Sequence, residues 1–294
     1  MSFKGAQSYI QLARLDRPIG WWLLLVPCLW SSVLASLSLH QFPNVAHLGL
    51  LMLGAIVMRG AGSTWNDILD RKLDAQVERT RNRPLASGAL TPKQAAVFLI
   101  AQCLIGLGVL LCFNAFTIKL GLASLVPVAI YPLMKRVTNH PQIVLGLAFA
   151  WGALVGWSAE TGNLELAPLL LYCAAIFWTI GYDTIYALQD LEDDLNVGIG
   201  STALAYGQNV ARFVALCYMA SIWLILASLY VSRLLGWFTM LGVLAFALHC
   251  VWQVRRIQLD NPQRALELFK SNRNAGLLLF AGFLIQAVKS FLMF

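Results

Sequence analysis

Residues 19–39 read IGWWLLLVPCLWSSVLASLSL, a run of apolar and small residues that contains no charged side chain. A membrane-spanning α-helix needs about 20 such residues to cross a hydrocarbon layer about 30 Å thick. The run is therefore predicted to be a transmembrane helix. Since 59% of the 294 residues are hydrophobic and only 12% are charged, we expect the whole chain to be an all-α integral membrane protein.

Eight further apolar runs predict a bundle of about nine transmembrane helices with a central cavity that opens to the cytoplasmic side. The predicted spans are 19–39, 46–66, 94–113, 117–134, 141–159, 167–187, 210–230, 235–252 and 275–293. No linker is long enough to separate soluble domains, so residues 1–294 are expected to form one domain. Residues 1–18 are predicted to be an interfacial amphipathic segment or a plain basic flank, and residues 253–274 a surface helix.

Basic residues predict the orientation, because Lys and Arg collect in cytoplasmic loops. With the N-terminus inside, all but three of the 21 Lys and Arg residues fall on the cytoplasmic side, and Lys119, Arg233 and Lys289 fall on the other. Nine spans then leave the C-terminus outside, and loops at about 67–93 and 188–209 face the cytoplasm. The expected location is the bacterial inner membrane.

The net charge of +7 does not indicate nucleic-acid binding, because the basic residues lie in loops between spans and no nucleic-acid module is visible. The expected partners are the lipid bilayer and an anionic substrate. The oligomeric state is not encoded in any recognisable pattern.

Acidic residues are concentrated in two segments that border apolar runs. NDILDRKLD (66–74) and YDTIYALQDLEDD (182–194) hold eight of the 14 Asp and Glu residues. A carboxylate at the centre of a membrane helix costs about 2.5–3.5 kcal/mol, so acid here either serves a function or lies outside the lipid. On a helix, each segment would bring three carboxylates to one face, namely Asp67, Asp70 and Asp74 in the first and Asp190, Asp193 and Asp194 in the second.

Carboxylates this close repel one another unless a cation lies among them, and Mg²⁺ prefers oxygen ligands while keeping several waters. We therefore predict Mg²⁺ held by these six carboxylates and by phosphate groups of a substrate. Nearby arginines would bind the same anion, with Arg59 the most informative because it lies in apolar sequence. The alternatives are a solvated acidic loop for either cluster alone, and loop arginines that follow the positive-inside rule without forming a site.

The two acidic segments resemble the NDxxDxxxD and YDxxYAxxDxxDD motifs of the UbiA superfamily of membrane prenyltransferases. The resemblance extends in order through LARLDRPIGWWLLLVPCLWS, RTRNRPLASGAL, YPLMKRVTNHPQIVLGLAFAWGALVGWSA and GIGSTALAYG. It is strongest to the branch that acts on 4-hydroxybenzoate. It implies transfer of a polyprenyl group from polyprenyl diphosphate to the ring carbon ortho to the hydroxyl of 4-hydroxybenzoate, with Mg²⁺ as cofactor, in ubiquinone biosynthesis.

The resemblance also implies residue roles. Its catalytic residues would be Asp70, Asp74, Asp190, Asp194 and Arg136, and its substrate- and diphosphate-binding residues would be Asn66, Arg59, Arg79, Arg81, Arg83, Lys135 and Tyr182. Arg136 is the candidate for binding either the substrate carboxylate or the diphosphate. The chain departs from the family pattern at one position: it reads GIGSTA where family members usually have GIKSTA, so Gly200 replaces a lysine. The diphosphate contact of that lysine is then either missing or supplied by Arg212 or Lys135.

Two kinds of alternative function fit parts of the pattern. Prenyltransferases for homogentisate or dihydroxynaphthoate share the chemistry and differ in the acceptor. A cation-coupled transporter would also carry acids in membrane helices, but it predicts them near the bilayer midplane. Here the acids lie at cytoplasmic helix ends and are followed by arginines, which favours a lipid diphosphate as the ligand.

Overall fold

The computed structural model describes residues 3–78, 80–134, 137–191 and 200–293. Regular structure in these ranges is helical. The helices are α1 (Phe3–Leu12), α2 (Ile19–Ser38), α3 (Val45–Asp74), α4 (Pro92–Leu110), α5 (Ala115–Ala123), α6 (Leu125–Met134), α7 (Pro141–Ala150), α8 (Gly152–Thr161), α9 (Leu166–Ala187), α10 (Thr202–Tyr206), α11 (Val210–Val231), α12 (Trp237–Val254) and α13 (Pro262–Leu292), with a 3-10 turn at Gly207–Asn209.

The predicted all-α membrane bundle is confirmed. Within the described ranges, nine segments are long and apolar enough to cross a membrane, and each overlaps one predicted span. Two of the spans are broken into two helices, since α5 and α6 meet at Ser124 and α7 and α8 meet at Trp151.

Two helix boundaries differ from the sequence-based prediction. The loop expected at 67–93 begins only at Ala75, because α3 continues through the first acidic segment to Asp74. The surface helix expected at 253–274 is the first part of α13, which runs without interruption from Pro262 to Leu292. Asn261 caps this helix by accepting a hydrogen bond from the Arg264 amide, and proline suits the first helical position because no amide hydrogen is needed there.

Helix α2 lies at the centre of the bundle. Its Trp30 side chain is fully buried, donates from Nε1 to the carbonyl of Gly276 in α13 at 2.8 Å, and packs on Trp178 of α9 with ring centroids 4.9 Å apart. On the other side of α2, Gly156 of α8 touches the backbone of Cys28, and a Cβ there would overlap the Cys28 carbonyl oxygen. Small residues at such crossings let membrane helices approach closely.

The N-terminal helix α1 packs against the loop that follows α3. Leu12 is buried with Leu85 and Leu90 of that loop, and Tyr9 contacts Phe98 of α4 with ring centroids 5.0 Å apart. This apolar cluster holds the chain after α1 beside the acidic end of α3.

Candidate active site

The last two turns of α3 carry a buried acidic face. Asp67 and Asp70 are each 1% exposed and Asp74 is 7% exposed. The helical spacing predicted from the sequence therefore brings these three carboxylates to one side of α3, facing protein rather than solvent. Burial of several carboxylates requires nearby positive charge or hydrogen-bond donors, because a buried and unpaired charge is strongly unfavourable.

Two arginines supply part of that compensation. Arg14 Nη2 donates to Asp67 Oδ1 at 2.7 Å and to Oδ2 at 2.9 Å. Arg83 Nη1 donates to Asp67 Oδ1 at 3.2 Å and to Asp74 Oδ2 at 2.9 Å. Burial lowers the pKa of the Arg14 guanidinium while the charge of Asp67 acts in the opposite direction, and an arginine side chain keeps its proton under such conditions. The result is a continuous chain of ion pairs from Arg14 through Asp67 and Arg83 to Asp74.

The second acidic segment approaches the first around Tyr131 of α6. The charges of Asp67 and Asp70 from the first segment, and of Asp183 from the second, all act on the Tyr131 phenol. Gln142 of α7 lies beside Asp183, and its Oε1 accepts a hydrogen bond from the Thr202 amide at 3.1 Å. The two segments, far apart in sequence, therefore border one region of the bundle.

An apolar cavity of about 240 Å³ extends from this region between helices α2 to α8. Its wall is formed by side chains such as Leu51, Phe113 and Val155, together with Tyr131 near the acidic end. Arg59 is the one charged side chain among the described residues that line it.

The Arg59 guanidinium makes one side-chain hydrogen bond and one cation–π contact within the described residues. One Nη nitrogen donates to the Ser63 hydroxyl one turn along α3, and Cζ lies 5.7 Å from the ring centroid of Phe149. Gly20 of α2 lies directly against the guanidinium, and a Cβ at that position would overlap Arg59 Nε. Nε is buried and makes no hydrogen bond within the described residues. A guanidinium in an apolar cavity with an unused donor is suited to bind an anion.

The other predicted site residues are distributed differently. Asn66 is half-buried on α3. Arg81 is exposed and pairs with Glu78 at 3.4 Å. Tyr182 is 1% exposed and packs between Trp178 and Phe269 in the core, which gives its ring a packing role. Asp190 is half-buried just beyond α9 and its charge acts on Asp183. Five predicted residues lie outside the described ranges, namely Arg79, Lys135, Arg136, Asp193 and Asp194.

Gly200 has a steric explanation that the sequence did not suggest. A Cβ at this position would lie 2.5 Å from the Thr138 carbonyl oxygen and 2.9 Å from Asn139 Cα. The backbone of 138–139 therefore occupies the space that any larger residue needs, so introducing lysine here would displace that backbone as well as add a charge.

The donor chemistry of the acidic face fits Mg²⁺ bound together with a diphosphate. Within the described ranges, no group of three or more acidic, His or Cys residues is close enough to form a complete metal site. Mg²⁺ is commonly held by one or two carboxylates with substrate phosphates and water, so a complete protein cage is not required. Asp70 and Asp74 offer ligands of this type. Both oxygens of Asp67 accept hydrogen bonds from arginines, and Asp74 Oδ2 accepts one from Arg83, so a metal would share these carboxylates with the two guanidinium groups.

Sequence reasoning did not assign Arg14, Tyr131 or Gln142 to the site. Arg14 was read only as part of a basic flank, and the other two carry no distinctive spacing. The one signal for them was their position inside segments that resemble known prenyltransferases.

Comparison with known proteins decides the family. The model of the UbiA prenyltransferase family matches residues 24–284. The chain belongs to this family. Two relatives named 4-hydroxybenzoate polyprenyltransferase, mitochondrial, are 46% identical over 282 residues in Drosophila melanogaster and 43% identical over 281 residues in Homo sapiens. The alignments cover 95% of this chain in both cases, and 71% and 75% of the respective relatives.

Solved structures of family members have the same fold. An apo UbiA homologue from Aeropyrum pernix K1 superposes with a TM-score of 0.75 at 24% identity, covering 89% of this chain and 97% of that one. A UbiA homologue from Archaeoglobus fulgidus bound to GPP and Mg²⁺ has a TM-score of 0.68 at 19% identity, covering 96% of this chain and 99% of that one. At these identities the likeness concerns the fold.

Proposed function

We propose that this membrane prenyltransferase transfers a polyprenyl group from polyprenyl diphosphate to the carbon ortho to the hydroxyl of 4-hydroxybenzoate and releases diphosphate, in ubiquinone biosynthesis. The observation that carries the proposal is one apolar cavity with the half-buried Arg59 in its wall and Tyr131 on the side nearest the buried carboxylates of α3. The acceptor is supported by relatives at 43–46% identity that are named for it.

The acidic end of α3 is the proposed diphosphate site. Asp70 and Asp74 would hold Mg²⁺ with help from Asn66, and the second segment would contribute Asp190 and, outside the described ranges, Asp193 and Asp194. Bound Mg²⁺ supplies charge neutralisation for the leaving diphosphate. Arg83, which lies 2.9 Å from Asp74, is positioned to donate to the same phosphate oxygens as their charge grows.

Arg59 is the proposed partner of the acceptor carboxylate. It lies about 12 Å from Asp67 along the axis of α3, since eight residues separate them and each advances the helix by about 1.5 Å. A carboxylate at Arg59 would direct the phenol end of the acceptor toward the acidic face, where the prenyl group is activated. An arginine is suited to this role because its planar fork donates two parallel hydrogen bonds to a carboxylate.

The apolar cavity is the proposed place of reaction for the prenyl cation. Ionisation of the allylic C–O bond leaves a carbocation that water would capture, and side chains such as Leu51 and Phe113 keep water away. The ring carbon attacks the cation, and the ring proton then passes to a carboxylate, for which Asp190 is the candidate in the described part of the second segment. The lipid-facing tail of the substrate extends along the same cavity.

For the location, we infer an inner membrane with the acidic clusters on the cytoplasmic side and the C-terminus on the other. The nine apolar spans found in the part of the chain that the structure describes make it an integral membrane protein. The expected bacterial inner membrane remains a proposal. The relatives are named as mitochondrial, which makes a mitochondrial membrane the other candidate.

The test uses membranes that contain the full chain, labelled 4-hydroxybenzoate, a long polyprenyl diphosphate and Mg²⁺. We expect a prenylated product, and we expect Asp70→Asn to abolish it while the matched change Asp260→Asn, at an exposed acid in the α12–α13 loop, leaves it intact. Homogentisate and dihydroxynaphthoate are offered in parallel. Faster product formation with either of them would show that the acceptor assignment is wrong.

A further inference from the structure

Arg14 occupies a backbone position that normally belongs to glycine. Its φ is 56°, in the left-handed region, where a Cβ is disfavoured. Helix α1 ends here in a Schellman motif, which is defined by two backbone hydrogen bonds. The Leu15 amide donates to the Ile10 carbonyl at 3.0 Å, and the Arg14 amide donates to the Gln11 carbonyl at 3.1 Å. Glycine would satisfy this turn at lower cost, and the contacts of the Arg14 side chain can offset the backbone strain.

The side chain of Arg14 is aimed at the acidic face of α3. Nη1 donates to the Gln11 carbonyl at 2.7 Å, which fixes the guanidinium within its own turn, and Nη2 donates to both oxygens of Asp67 at 2.7 and 2.9 Å. The guanidinium is only 18% exposed and Asp67 is 1% exposed, so this contact is largely shielded from solvent. Non-glycine residues in left-handed conformations are often found at functional sites, where their contacts compensate the cost.

Asp67 passes the effect of Arg14 on to Asp74. Its Oδ1 also accepts from Arg83 Nη1 at 3.2 Å, and the same nitrogen donates to Asp74 Oδ2 at 2.9 Å. Asp67 pairs with both Arg14 and Arg83, so loss of Arg14 would leave Arg83 as its remaining partner in this chain of ion pairs. Arg83 would then be drawn toward Asp67 and away from Asp74.

We propose that Arg14 is a positioning residue for prenyl transfer: acting through Asp67, it holds Arg83 against Asp74 and so sets the geometry of the carboxylate that receives the Mg²⁺ diphosphate. This gives Asp67 the role of a bridge between two arginines in addition to the metal-ligand role expected from the sequence. The inference rests on the proposed diphosphate site described above.

The chain offers a variant that separates this role from folding. Arg14→Gly removes the guanidinium but relaxes the backbone, and Leu12 still anchors α1 against Leu85 and Leu90. Arg233→Gly is a matched control. Arg233 also has a positive φ, of 57°, and ends α11 with the same pair of bonds, but it is exposed and lies in the loop predicted on the opposite side of the membrane.

The first measurement is a titration of Mn²⁺ in the presence of inorganic diphosphate, followed by electron paramagnetic resonance on purified protein. We expect Arg14→Gly and Asp67→Asn each to weaken the binding about tenfold, the size expected for a lost charge-assisted contact. The double variant should be no weaker than either single one, since both remove the same chain of contacts. Arg14→Lys should be intermediate because a lysine cannot hold both oxygens of Asp67 in a planar fork.

The second measurement separates kcat from KM. We expect Arg14→Gly to lower kcat while the KM for 4-hydroxybenzoate stays unchanged, and Arg233→Gly to change neither. The proposal is overturned if Arg14→Gly binds Mn²⁺ and diphosphate as wild type does, or if its effect adds fully to that of Asp67→Asn. Absence of prenylated product from the wild type would refute the proposed function instead, and the Mn²⁺ titration would still decide the role of Arg14.

Discussion

Replacing Arg59 with glutamine tests the proposed acceptor site most selectively. The change keeps a polar side chain, two heavy atoms shorter, but removes the positive charge and the planar fork. A hydrogen bond to a charged group contributes about 1.5–3 kcal/mol, so kcat/KM for 4-hydroxybenzoate should fall about ten- to hundredfold. Arg59 also donates to Ser63 and lies over Phe149, and loss of these two contacts costs less than the free energy of unfolding of about 5–15 kcal/mol typical of native proteins, so the variant should remain folded.

The assay compares 4-hydroxybenzoate with its neutral amide, 4-hydroxybenzamide. The wild type should strongly prefer the acid, and Arg59→Gln should lose most of that preference because its defect concerns only the carboxylate. The KM for polyprenyl diphosphate should stay the same, and Arg233→Gln serves as an exposed arginine control. An equal loss on both acceptors, or a rise in the KM for the diphosphate, would refute the reasoning and assign Arg59 to the diphosphate.

Three further predictions concern packing and metal dependence. Gly20→Ala should lower kcat/KM for 4-hydroxybenzoate with little change in Tm, since the new Cβ displaces the Arg59 side chain; kinetics equal to wild type would contradict this contact. Gly156→Ala should destabilise the protein by about 1–3 kcal/mol through overlap with Cys28, whereas Gly49→Ala, with open space around its Cβ, should be neutral or stabilising by up to about 1 kcal/mol; the ranking is read from thermal unfolding in detergent. Chelation of divalent cations should stop prenyl transfer and added Mg²⁺ should restore it, so activity that persists in chelator would remove the metal from the mechanism.

Hydropathy was sufficient to locate the membrane spans, because a helix in lipid must be apolar over about 20 residues whatever it packs against. The predicted run 19–39 corresponds to Ile19–Ser38, for example. Boundaries failed where a helix leaves the membrane without ending. Both α3 and α13 continue past their apolar runs, because the charged residues at 66–74 and 264–273 do not by themselves end a helix.

The candidate site was only partly accessible from the sequence. Helical spacing placed Asp67, Asp70 and Asp74 on one face, because this relation is local and depends only on the helical period. The pairing of Arg14 with Asp67 joins residues far apart in the chain, and it depends on how α1 docks on the loop after α3. Nothing in the local pattern around Arg14 distinguishes this residue from a basic flank.

The steric role of Gly200 likewise depends on tertiary packing and not on the local sequence. Its departure from the family pattern was visible in the sequence and suggested a missing phosphate contact. The structure instead places the Thr138 carbonyl and Asn139 where a Cβ would lie. Close approach of two backbone segments cannot be read from one sequence, because the second segment is brought there by tertiary packing.

The central claim is that this chain prenylates 4-hydroxybenzoate at a metal-dependent acidic face. The most direct measurement is the product formed from labelled 4-hydroxybenzoate, polyprenyl diphosphate and Mg²⁺ by membranes that contain either the wild type or Asp70→Asn. The account predicts 4-hydroxybenzoate prenylated ortho to its hydroxyl from the wild type and none from the variant. Absence of product from the wild type, or equal product from both, would contradict it.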